Sequence, residues 1–327
     1  MPRHRWTRLM LRATACLLLA LTGCGSGPTP SADATPVRVA LFPGGSTLPA
    51  HAAIVDGACE RNGLDVELTE GTDLPLFMAA LTKGQYDIVM SVPTLALVGA
   101  EKRLDIKIIA GLQRQSAQRP NAVWLTKDPA IASLGQLKGK TIAVPSLTGI
   151  ITDALIYLLK REGVARDEVR LIQTPFPTMG DQLQAGHADA AVATIPFFSA
   201  IAARGFTAHD DVIVEAVKAA SGGTVDTAIT SVWITSGEFA RSHPQTVTAW
   251  RTSLNDAIEN LNANNSDARQ LTEAWLHIPR EVIERSPLPD WTVDISPEDL
   301  APYAEIAMAV GSIRAAPDVK SLVWQGP

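Results

Sequence analysis

Two periodicities alternate along the chain. Short runs rich in Val, Ile and Ala read as strands: VRVAL (37–41), DVELTE (65–70) and DIVMSV (87–92). Between them the apolar residues return every three or four positions, the spacing of a helix face. About a hundred residues on, the order recurs with TIAV (141–144), VRLIQT (169–174) and DAAVAT (189–194). In the first copy Ser46 or Thr47 is placed to cap a helix that stops at Gly63. In the second, Ser146 or Thr148 is placed to cap one that stops at Gly163. Ile151, Leu155, Leu158 and Leu159 share a face of that second helix. Each copy then adds a shorter helix, FMAALTKG (77–84) or MGDQLQAG (179–186), and the next Asp, Asp87 or Asp189, opens a third strand. Ala40 to Asp87 is 47 residues and Ala143 to Asp189 is 46. A further echo, NAVWLT (121–126) and TSVWIT (230–235), extends the likeness. The pattern predicts a duplicated β-α-β-α-β unit. That is an α/β fold of two similar lobes, each a mostly parallel sheet flanked by helices. Further on, Val247, Trp250, Leu254, Ile258 and Leu261 form a helical stripe behind Pro244 and read as packing residues.

The N-terminus follows a different pattern. Arg3, Arg5, Arg8 and Arg12 precede an apolar run from Leu9 to Leu21, too short to span a bilayer and typical of a secretory signal. The run ends in LTGC (21–24), which resembles the lipobox of bacterial lipoproteins. That resemblance implies cleavage after residue 23 and a lipid on Cys24. Residues 24–36 are rich in Gly, Ser and Pro and read as a flexible tether. The formal charge of −6 becomes −10 without residues 1–23, since four Arg and no acid leave with them. So acidic an exported chain is a poor partner for nucleic acid. Cys59 then has no partner for a disulfide and reads as a small core residue.

Open α/β sheets bind ligands beyond the carboxyl ends of their strands. The expected site is therefore four loops: Phe42, Gly44, Gly45 and Ser46; Ser91 and Thr94; Ser146, Thr148 and Gly149; Thr194 and Phe197. All four lead into helix N-termini, whose free N–H groups receive an anion or a carbonyl. No Arg or Lys lies in these loops; Arg114 and Arg119 lie near the first crossover and are within reach of the site, although a solvated surface role is the expectation for each. Phe42 and Phe197 offer flat faces to a ligand, whereas Trp233 reads as core.

ASLGQLKGKTIAVPSLTG (132–149), the helix ending LKREG (159–163), GQYDIVMSVP (84–93) and GHADAAVATIPFF (186–198) resemble the solute-binding proteins of ABC importers. More narrowly, they resemble the group that binds sulfonates, taurine, nitrate or the pyrimidine precursor of thiamine. The resemblance spans roughly residues 37–310. It implies the type II periplasmic-binding-protein fold, with lobes joined by a hinge of crossing segments: residues 37–119 with 230–327 in lobe one and 120–229 in lobe two. It implies a non-enzymatic monomer, without cofactor or metal, held on the extracytoplasmic side of the membrane. Such a protein delivers a small-molecule ligand to ABC permease subunits served by an intracellular ATPase. The expected ligand is a small organic anion, with a heteroaromatic such as a pyrimidine as the alternative. An exported enzyme on the same fold is the rival class, but the chain has no Gly-x-Ser-x-Gly elbow and no phosphate-binding loop. His51, His187, His209, His243 and His277 are scattered without metal-ligand spacing.

Overall fold

A computed structural model describes residues 34–326, and the repeat organises it. The predicted signal, Cys24 and the tether as far as residue 33 lie outside the described residues. The first unit runs β1 (Thr35–Leu41), a 3-10 turn (Gly45–Thr47), α1 (Leu48–Val55), α2 (Ala58–Arg61), β2 (Leu64–Glu70), α3 (Leu74–Thr82), β3 (Ile88–Ser91) and α4 (Pro93–Glu101). β4 (Ile106–Ser116) and β5 (Val123–Thr126) carry the chain to the second unit. That unit is β6 (Thr141–Val144), α5 (Ile150–Arg161), β7 (Arg170–Gln173), α6 (Phe176–Ala185), β8 (Ala190–Ala193) and α7 (Phe197–Ala202). β9 (Thr207–Asp211), α8 (Val212–Ala220) and β10 (Thr227–Ser236) bring it back. The remainder is mostly helical: α9 (Gly237–Ser242), α10 (Pro244–Ala263), α11 (Asn265–Leu276), α12 (Arg280–Arg285), β11 (Asp290–Trp291), α13 (Pro297–Val310) and α14 (Val319–Leu322).

The strands form two separate sheets. Sheet A has the order β11-β4-β10-β3-β1-β2 and sheet B the order β7-β6-β8-β5-β9. Within them the repeat is explicit, since β2-β1-β3 and β7-β6-β8 are parallel triplets in the same order. The two echoing segments, in β5 and β10, complete the sheets by pairing antiparallel to β8 and β3. The α/β architecture of two helix-flanked sheets is thus as the pattern predicts, with parallel repeat strands and antiparallel crossing strands.

Local details depart from the sequence reading for physical reasons. The first helix does not run unbroken to Gly63. It stops at Asp56, and Gly57 takes a left-handed conformation (φ 72°) before α2 begins. α5 buries more than one stripe: Ile150, Thr152, Asp153, Ala154, Leu155, Tyr157 and Leu159 are all buried, because α8 and α13 both pack against it. The stripe on α10 packs on α1 and α2, where Val247, Trp250 and Leu254 are inaccessible. Trp233 meets Trp250 edge to face, with centroids 5.0 Å apart, and is a core residue. Cys59 sits in the same core, and burial pushes its thiol up to about 11. α13 lies across both halves, against α4 on one side and α5 and α8 on the other. Tyr303 in α13 donates its hydroxyl to Ile229 O of β10 at 2.6 Å.

Candidate functional site

The topology sets which loops share an edge. β1 and β3 are parallel, so the loops at 42–47 and 91–94 leave the same edge of sheet A. β6 and β8 are parallel, so those at 145–149 and 194–197 share an edge of sheet B. At sheet A, Ser91 lies opposite Val232, and β10 continues past it back to Thr227, paired with β4 as far as Ser116. The chain therefore crosses from that same edge. It enters sheet B at Val123, opposite Ala193 and Asp211, which is the edge carrying 194–197. Both loop-bearing edges are the ones joined by the crossing segments.

The four loops differ in how their polar groups are used. In the first, Thr47 donates to Phe42 O at 2.8 Å and accepts from Gly44 N at 3.2 Å, so it closes the loop rather than capping α1. Gly45 O accepts from Trp291 Nε1 at 2.8 Å, and a Cβ on Gly45 would lie 3.2 Å from Pro289. Ser46 and Phe42 stay half-buried. In the second loop Ser91 and Thr94 flank the start of α4 and are only 1% and 2% exposed. Among the described residues neither hydroxyl has a hydrogen-bond partner. In the third, Ser146 Oγ accepts from Thr148 N at 3.3 Å, and Thr152 donates to Ser146 O at 2.6 Å. The residue that caps α5 is Gly149, with φ 98°, so neither predicted hydroxyl serves. Thr148 is exposed, and so is Leu147 beside it, at 46%. In the fourth, Ile195-Pro196 is cis, Thr194 is half-buried, and Phe197 stacks on Phe176 with centroids 5.6 Å apart.

The helices at these edges, α1, α4, α5 and α7, all begin without a side-chain cap. Elsewhere α3, α8, α9, α11, α13 and α14 are capped by Asp73, Asp211, Ser236, Asn264, Ser296 and Asp318, while α2, α6, α10 and α12 are not capped by a side chain. At α5, and at α4 beyond Pro93, which has no N–H, the first N–H groups have no side-chain cap, whereas at α1 and α7 the backbone carbonyls of Gly45 and Thr194 already accept from Leu48 N and Phe198 N.

Between the edges lies a polar knot that sequence reading missed. The Asp211 carboxylate accepts from Asn121 N (2.7 Å), Ala122 N (2.9 Å), Gln115 Nε2 (2.8 Å), Ile213 N (2.8 Å) and Val214 N (3.0 Å). Burial pushes its carboxyl upward, and the four backbone donors oppose that shift. Asn121 in turn accepts from Ile195 N at 3.2 Å, which ties the crossing to the fourth loop. Two signals for this knot were present: Asp211 before an apolar run, and Gln115 near the end of a mostly apolar strand. The contact from Trp291 to Gly45 spans 246 positions and left no local signal.

The two arginines near the crossover have carboxylate partners. Arg114 reaches Asp299 at 2.7 Å and Thr227 at 3.0 Å, and Arg119 reaches Asp290 at 3.2 Å. His51 stacks on Trp275 at 4.3 Å, and burial lowers its pKa below the ordinary value. Among the described residues no group of three or more His, Cys, Asp or Glu has metal-binding geometry.

Comparison with known proteins places this geometry. The family model described as NMT1/THI5 like matches residues 48–268. A putative ABC transporter periplasmic binding protein of Brachyspira hyodysenteriae is 29% identical over 193 residues, 56% of this chain and 55% of that protein. The chain thus spans about half the length of the curated relative it matches. In fold, the periplasmic aliphatic sulphonate binding protein SsuA of Escherichia coli superposes with a TM-score of 0.72 at 14% identity, covering 89% of this chain and 92% of that one. The alkanesulfonate-binding protein SsuA of Xanthomonas axonopodis pv. citri, bound to MOPS, superposes at 0.70 with 16% identity, covering 90% and 99%. A Candida albicans protein described as having the generic periplasmic binding protein fold superposes at 0.61 with 14% identity, covering 89% and 97%.

Proposed function

The chain belongs to the NMT1/THI5-like family, and on that premise we propose that it is the extracytoplasmic solute-binding component of an ABC importer. It captures a small organic anion of the sulfonate class between the facing edges of sheets A and B and delivers it to a membrane permease. The observation that carries this reading is the start of α4: a buried helix N-terminus with no side-chain cap, flanked by two hydroxyls that have no partner among the described residues. A buried unpaired polar group costs about 1–3 kcal/mol, a burden that a ligand's oxygens would relieve. Helix starts and hydroxyls suit a compact anion with several acceptor oxygens. Ser46, Ser146, Thr148 and Thr194 add further hydroxyls, and Gly44, Gly45 and Gly149 allow close approach to the backbone. The names of the two sulfonate-binding neighbours in fold agree with this class.

The lobes are residues 37–119 with 230–327 and residues 120–229, and ligand touching both favours the closed arrangement, since only differential affinity shifts such a balance. A lipid on Cys24 and the tether behind it hold the protein beside its permease. The chemistry is binding without turnover. A second reading, a flat heteroaromatic, draws on Phe42 and on the stacked pair Phe176 and Phe197.

The test is a thermal-shift panel of alkanesulfonates, taurine, nitrate, carboxylates and pyrimidines. Sulfonates are expected to raise the unfolding temperature by mass action, with no product formed. A rise with pyrimidines alone selects the second reading, turnover selects an enzyme, and no rise with any compound contradicts both binding readings.

A further inference from the structure

Arg119 stands on the crossing between the two sheets, three residues past the end of β4. Its Nη1 lies 3.2 Å from Asp290 Oδ1, and the two side chains are 60% and 49% exposed. Asp290 is level with Arg114 of β4, and Trp291 beside it pins the loop at Gly45. Since Ser91 is level with Val232 and Gly111, Asp290 stands beyond the edge of sheet A, in the gap toward sheet B. Just before it in sequence, α12 touches α7 of the second unit, so this segment walls the gap on one side. The ion pair thus sits on the rim of the candidate site.

The neighbouring pair is built differently. Arg114 is half-buried, contacts Asp299 at 2.7 Å and Thr227 at 3.0 Å, and Asp299 is also fixed by Ser296 at the start of α13. Arg119 has one long ionic contact, and neither side chain in it is buried. Exposed pairs of that kind contribute little to stability. Only side chains make the pair, so breaking it leaves the backbone pairing of Asp290 with Arg114 and the Ser116–Arg119 bridge in place.

We propose that Arg119 is the ligand's cationic contact and Asp290 its resident competitor: the guanidinium leaves the carboxylate for the anionic group of the incoming solute. The proposal rests on the anion reading above and names a specificity-determining residue for it. The substrate class is one with a full negative charge, which a planar guanidinium recognises through two parallel hydrogen bonds. Neutral isosteres would leave Arg119 with Asp290 and bind weakly.

The two partners give opposite outcomes. Calorimetric titration with 1-propanesulfonate is run on the full mature chain and on Arg119→Gln, Arg119→Lys and Asp290→Asn. Arg119→Gln is expected to weaken binding at least tenfold, with Arg119→Lys between it and the unaltered chain. Asp290→Asn is expected to tighten binding severalfold, because the competitor is removed while the guanidinium stays. The ligand-free unfolding temperatures of all four proteins should agree within about 2 °C, as for an exposed ion pair. Unchanged or weaker binding in Asp290→Asn, or unchanged binding in Arg119→Gln, overturns the proposal. Failure of the unaltered chain to bind the probe is separate: it removes the sulfonate reading, and this inference with it.

Discussion

Two buried helix starts stand near the crossing segments, and they are finished in opposite ways. At α8, Asp211 gathers five donors from the crossing, from β4 and from the helix itself. At α4, Val92 caps without a side chain, and Ser91 and Thr94 are buried with no partner among the described residues. The first arrangement satisfies its donors and ties the crossing to β4 and α8. The second leaves hydrogen-bonding capacity unused, although buried polar groups are normally paired. Among the described residues, unpaired buried atoms occur elsewhere too, at Gln115 Oε1 in the knot itself and at Trp250 Nε1 in the core; what sets α4 apart is two such hydroxyls at one helix start without a side-chain cap.

Asp211→Ala tests the capped end and carries the largest expected effect. It orphans five buried donors and removes a helix cap, so stability should fall by on the order of 3–5 kcal/mol in urea unfolding. A loss under about 1 kcal/mol would mean that water replaces the carboxylate and that the knot is not what fixes the crossing.

Asp153 sharpens the contrast as a buried carboxylate with one named partner, Ser312 Oγ at 2.9 Å. Burial raises its pKa from 3.8 to about 6. The folded value exceeds the unfolded one, so the folded chain binds the proton more tightly. Its contribution is most favourable below pH 4 and declines as pH rises through 6, by up to about 3 kcal/mol for a shift of this size. Asp153→Asn should therefore be more stable than the unaltered chain at pH 7.5 and no more stable at pH 3.5. Equal stability at both values would show that the site is hydrated.

Ser91→Ala removes a hydroxyl that bonds to nothing among the described residues. Ligand-free stability should stay the same or rise by up to about 1 kcal/mol, while affinity for a sulfonate falls. Destabilisation would reveal a structural bond and erase the contrast with Asp211. Smallest are Ser46→Ala and Thr148→Ala, at half-buried and exposed positions. Each should weaken binding severalfold in calorimetry and leave the unfolding temperature unchanged; unchanged affinity in both would remove these loops from the site.

The legible and illegible parts of the molecule divide along the same line. The duplicated unit could be read because its punctuation is local: Gly63, Gly84, Gly163 and Gly186 end segments, and Asp87 and Asp189 start strands. The four loops were legible because the fold class places them at strand ends. Two kinds of feature were not. The helix caps were legible only in part, because a hydroxyl near a helix start only permits a cap: Thr47 does stand at the cap position of α1 but its hydroxyl closes its own loop, and Gly149 takes the cap position of α5. The remote contacts were hidden because they join residues far apart in sequence: Trp291 to Gly45, Tyr303 to Ile229, Asp211 to Gln115. α5 shows the same limit, since its buried Asp153 depends on α13, which lies almost 150 residues later.

The most direct test is calorimetric titration of an alkanesulfonate into the unaltered chain and into Thr94→Val, which keeps the side chain's shape and deletes only its hydroxyl. The account predicts saturable one-to-one binding that weakens about tenfold or more in Thr94→Val, roughly the 1.4 kcal/mol of a charge-assisted hydrogen bond, with an unfolding temperature that does not drop. Equal affinity in the two proteins, or a lower unfolding temperature in Thr94→Val without ligand, would contradict it.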